Sequence, residues 1–107
     1  GTIPLLDWLW FGLYQSQEGC GGYTRGLKVF GKEELEVVDF EGDLQTVRDI
    51  LVDVAFYLLQ EDATLDPGDG ISLPTGDVLT VTRSLGYSLD EETLKIGIPR
   101  GFRSQVN

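Results

Sequence analysis

At 107 residues the chain has the length of one domain, residues 1–107, with a single modest core. Its 18 acidic and 8 basic residues give a formal charge of −10, which repels phosphate backbones and anionic lipid headgroups and argues against nucleic-acid and membrane partners. The single cysteine, Cys20, rules out an internal disulfide, and with no histidine neither a Cys–His nor a Ser–His nucleophile can be assembled.

The chain opens on IPLLDWLWFGLY, its most apolar stretch. This is far shorter than the ~20 residues of a membrane span, is interrupted by Asp7, and lacks the basic start of a signal peptide. From Leu5 to Tyr14 apolar residues fall on both parities. A helix fits that composition, but the aromatic enrichment and the following SQEGCGG turn predict a strand covered on both sides. Tyr23 to Phe30 is the expected second strand, with Tyr23, Arg25, Leu27 and Val29 on one face and a hairpin loop centred on Glu18 to Gly21. Cys20 falls in that loop and is expected to be an exposed thiol, suited to a reducing, cytoplasmic setting. Leu35 to Phe40 reads as a short, half-acidic third strand, with Lys32 to Glu34 in an exposed turn before it.

The segment EGDLQTVRDILVDVAFYLLQED is the clearest element. Asp43 is a good N-cap, because its carboxylate can accept the free amide protons of the first turn. Leu44, Val47, Leu51, Val54 and Leu58 recur at helical spacing, and the helix should stop near Asp62. Short strands follow at Ile71 to Leu73, Val78 to Ser84 and Leu94 to Ile98. The predicted fold is therefore α+β in the order β-β-β-α-β-β-β: a largely antiparallel sheet of about four to six strands with one amphipathic helix on one face. Residues 100–107 read as a flexible tail. Gly1 looks like the remnant of a removed tag, so the chain is expected to be a piece of a longer protein.

One helix covers only one face of a sheet, yet the first strand is apolar on both. The helix also carries a second apolar strip, Val52, Phe56 and Leu59. Such surplus calls for a cover: the missing part of the parent protein, a second copy of this chain, or the chain's own loops and tail.

Candidate chemistry is sparse. Asp66 and Asp69 in LDPGDG superficially resemble a calcium loop, but the alternating oxygen ligands and terminal Glu of an EF-hand are missing. No second cysteine or histidine is present for a zinc site, and the GCGG glycines do not open a helix as a phosphate loop would. No metal, cofactor or catalytic residue is assigned, and the balance leans away from an enzyme. A hydrolase would need a carboxylate of raised pKa in a cleft, which no residue pattern marks. Four charges fall at apolar-looking positions: Asp7, Arg25, Arg48 and Arg83. Charges at such positions pair or hold a ligand, and arginine suits carboxylate or phosphate. Arg25 and Arg83, with Tyr23 and Thr24, are thus the candidate ligand-binding residues, and Val52, Phe56 and Leu59 the candidate interaction surface.

The segments GYTRGLKVFGKEELEV, DILVDVAFYLLQEDATLDPGDGI and VTRSLGYSLDEETLKIGIP together resemble a bacterial family classed only as a domain of unknown function. Its marks are an apolar strand, a Tyr-Thr-x-Gly-Leu-x-x-Phe-Gly-x-x-Glu-Leu-Glu segment, a helix, and an Arg-Ser-x-Gly near the end. The resemblance runs from about Leu5 to Pro99 and implies the C-terminal module of a larger protein. It brings no activity or catalytic residue. The expected function is a non-enzymatic protein-interaction module, with a small-anion or peptide-binding domain using Arg25 and Arg83 as the alternative.

Overall fold

The computed structural model describes residues 9–73, 76–85 and 92–99. Asp7, the start of the expected first strand and the 100–107 tail lie outside these. Strands β1 (Trp10–Ser16) and β2 (Gly19–Arg25) form an antiparallel hairpin, followed by a short 3-10 helix (Leu27–Phe30) and strand β3 (Leu35–Phe40). Helix α1 (Leu44–Gln60) crosses to β4 (Gly70–Ser72), β5 (Val78–Leu85) and β6 (Glu92–Gly97). The six strands form one sheet in the order β1-β2-β3-β6-β5-β4. Every neighbouring pair is antiparallel except β3 and β6, which run parallel at its centre. The α+β fold with one helix on a largely antiparallel sheet is thus as expected.

The helix starts where Asp43 caps it. That side chain accepts the Thr46 N–H at 2.8 Å, and the hydrogen bond holds its carboxyl below the usual aspartate range. Val47, Ile50, Leu51, Val54, Ala55 and Leu58 make the buried face. They share one core with Leu35 and Val37 of β3, Leu79 and Val81 of β5, and Leu94 and Ile96 of β6. Each of the valine, leucine and isoleucine side chains among them contributes roughly 1.5–3 kcal/mol on full burial.

Two expectations are corrected. The second strand is not Tyr23 to Phe30: it begins at Gly19 and ends at Arg25, and the turn of the hairpin is Gln17 and Glu18. Glycines 21 and 22 can lie in a strand because neighbouring side chains fill their missing volume. A Cβ on Gly21 would meet the Tyr14 hydroxyl at 2.6 Å, and one on Gly22 would meet a Leu13 methyl at 2.8 Å. Leu27 is consequently the buried first residue of the 3-10 helix, while Val29 and Phe30 are exposed. Cys20, expected to be exposed, is buried, with its thiol directed at the carbonyls of Phe40 and Gly42 at 3.5 and 3.4 Å. Burial pushes that thiol up from its ordinary pKa and leaves it an inert core group.

Candidate functional site

The segment between β2 and β3 closes around Glu34, which is buried rather than in an exposed turn. Gly26, with φ 112, breaks β2 and turns three successive N–H groups inward. The Glu34 carboxylate collects them: Gly26 and Lys28 donate to Oε2 at 3.1 and 3.4 Å, and Leu27 donates to Oε1 at 3.2 Å. The Thr24 hydroxyl donates to Oε1 at 2.9 Å and accepts the Leu35 N–H at 2.9 Å. Gly31, φ 79, closes the far end. The negative charge thus sits at the free N–H end of the 3-10 helix, as an N-terminal cap supplied from downstream. Thr24 belongs to this closure, with both functions of its hydroxyl engaged.

On the face away from α1 a row of side chains crosses five strands. Cross-strand pairing sets Gly12 against Tyr23, Tyr23 against Glu36, Glu36 against Lys95 and Lys95 against Thr82. The Tyr23 ring occupies the space above Gly12. Glu36, only 3% exposed, pairs with Lys95 Nζ at 2.8 Å, and that ammonium also donates to the Leu85 carbonyl and the Thr93 hydroxyl at 2.8 and 3.0 Å. Among the described residues every buried side-chain nitrogen and oxygen has a hydrogen-bond partner. The strand expected to be half-acidic, β3, therefore carries an internal ion pair that joins the two parallel strands.

The two candidate arginines are not brought together. Arg25 lies on the open face with its guanidinium 5.4 Å from the centre of the Tyr23 ring. Arg83 shares the parity of Leu79 and Val81, on the helix side, and donates to Glu33 at 3.0 Å, which holds it above its ordinary pKa. In the strand order β2 and β5 are three steps apart, roughly 14 Å. Arg83 lines a cavity of about 190 Å³ with Lys32, Glu33, Leu58, Ala63 and Leu65, and Lys32 is paired with Asp62 at 2.8 Å. A second cavity of about 280 Å³ opens where β3 and β6 diverge after their two paired positions, between Val37–Glu41 and Gly97–Pro99. Arg48 is exposed, 3.9 Å from Asp49. Val52, Phe56 and Leu59 are all half-buried, and Leu59 packs on the core.

The larger apolar exposure is elsewhere. Trp10, at the start of β1 and on the open face with Gly12, is 68% exposed, and Leu13 on the other face is 39% exposed. β1 is an edge strand of seven residues, WFGLYQS, without a charge or a proline. Sequence reasoning placed Trp10 in a doubly covered strand; only the strand order reveals it as an edge residue. Among the described residues no group of three acidic or cysteine side chains converges to hold a metal ion, and no helix is long and apolar enough to cross a membrane.

No curated protein and no solved structure matches the chain. One family profile does, over residues 23–97, a narrower span than the sequence resemblance implied, since β1 and the first half of β2 precede it. The match takes in the Glu34 closure, α1 and the Glu36–Lys95 pair, well over half of the chain. The chain belongs to the family described as Domain of unknown function (DUF4261).

Proposed function

We propose that the domain is a non-enzymatic protein-interaction module of a bacterial, cytoplasmic protein, and that it docks through the β1 side of its sheet. The carrying observation is Trp10, 68% exposed on an edge strand that bears no charge in a chain of net charge −10. A solvent-facing indole on a strand at the end of the sheet order supplies both an anchor and a template. The buried carboxylates Glu34 and Glu36 are engaged in holding the backbone and the parallel strand pair. The half-buried Val52 and Phe56 add apolar surface beside Asp49 and Asp53 on the helix.

In-cell photo-crosslinking tests the reading, with p-benzoylphenylalanine replacing Trp10 in one variant and Thr82, four strands away and also exposed, in another. The expected result is discrete protein adducts from position 10, competed away by excess unlabelled domain, and none from position 82. Equal, diffuse labelling at both positions would overturn it.

A second reading, small-anion binding, is favoured by the cavity that Arg83 and Lys32 share. It retains Arg83 but not Arg25, which lies on the other face, and an anion there would have to displace Glu33 from Arg83.

A further inference from the structure

We propose that the occupant of the β1 edge is a second copy of this chain, paired antiparallel strand to strand about a two-fold axis at Leu13. This rests on the interaction reading above and names its partner.

The two edges of the sheet differ. β4 has three residues, and Asp69 and Asp77 flank the β4–β5 hairpin segment, so brevity and charge protect that edge. β1 has seven residues and none of these protections. β1 itself carries no charge, and the one charged side chain paired across from it is the basic Arg25, opposite Trp10. In a molecule of net charge −10, two identical copies therefore meet along this strand without facing carboxylates.

The strand is also self-complementary. With Leu13 opposite Leu13 of the second copy, Gly12 faces Tyr14, Phe11 faces Gln15 and Trp10 faces Ser16. The two half-exposed leucines then meet on the helix side. On the open face Trp10 opposes the small Ser16, while the Tyr14 ring is already seated over Gly21 and the Tyr23 ring over Gly12 within each copy. Shifting the register by two residues sets Trp10 against Tyr14, the two largest side chains of that face, or carries Trp10 past the end of the strand, and loses this fit. Closure by an isologous contact ends assembly at the dimer, with a continuous sheet of twice the six strands.

The test is a charge swap at the axis, read by sedimentation velocity on the full chain, with circular dichroism and thermal melts confirming that each variant folds. The wild type is expected to show a concentration-dependent monomer–dimer equilibrium. Leu13→Lys and Leu13→Glu each place like charges face to face and are expected to weaken association at least about tenfold. Mixing the two variants restores a dimer, which damaged folding could not produce. Wild-type protein that stays monomeric while position 10 still crosslinks to other proteins would overturn self-pairing and leave the interaction reading standing. Absence of any adduct at position 10 would remove both. A wild-type dimer indifferent to Leu13 charge, or variants that do not recombine, would overturn this edge and register.

Discussion

Glu34 shows how one side chain can organise a segment that looks like surface. Its two oxygens receive three backbone N–H groups and the Thr24 hydroxyl, and two of these four donors, the Leu27 N–H and the Thr24 hydroxyl, are buried. Hydrogen bonds to a charged acceptor are worth about 1.5–3 kcal/mol each and do not add fully. Glu34→Ala is therefore expected to lower stability by about 3–5 kcal/mol, and Glu34→Gln, which keeps one acceptor oxygen, by about half as much. Denaturant midpoints check this. A Glu34→Ala shift no larger than that of Glu33→Ala, whose partner Arg83 is at the surface, would show that the carboxylate does not hold the loop. Asp43 was legible as a cap because its donors follow it directly in sequence. Glu34 was not, because its donors lie six to ten residues upstream and three acidic residues among Lys32 to Glu36 read as solvated. Arg25 and Arg83 shared an apolar pattern, but parity along one strand cannot say which face of the sheet another strand's residue occupies.

At the scale of elements, α1 was readable almost to the residue, since its apolar spacing, its cap and its burial all agree. β2 was misplaced by its glycines, whose missing side chains are supplied by Leu13 and Tyr14 from the neighbouring strand. Helix α1 also carries two aspartates one turn apart, Asp49 and Asp53. Asp53 has its pKa raised, first by burial and then by the like charge of Asp49 one turn earlier. A carboxyl raised on folding favours the protonated form, so folding is helped below the unfolded aspartate value near 3.9 and loses that help as pH rises through the folded value. Asp53→Asn is thus expected to raise the melting temperature at pH 7, with the difference vanishing below about pH 3. Paired thermal melts at the two pH values check it, and an unchanged or lower melting temperature at pH 7 would contradict it.

At the scale of the molecule, strand number and acidity were legible, but strand order was not. Leu35 pairs with Leu94, and Glu36 with Lys95, across a helix and two intervening strands, and no local pattern encodes such a partner. The parallel contact covers two residue pairs, so the ion pair of Glu36 and Lys95 across it fixes which strand sits beside β3 and in what register. With the buried charges so engaged, β1 is the long edge that can receive another strand. The most direct measurement is residue-resolved amide hydrogen exchange on the wild-type chain, dilute and concentrated. The expected result is strong protection of β5 and β6 at both concentrations, with alternate β1 amides, those facing away from β2, exchanging fast when dilute and slowly when concentrated. β1 amides that exchange at the same rate at both concentrations, whether fast or slow, would contradict the assignment of this edge as the docking surface for a second copy.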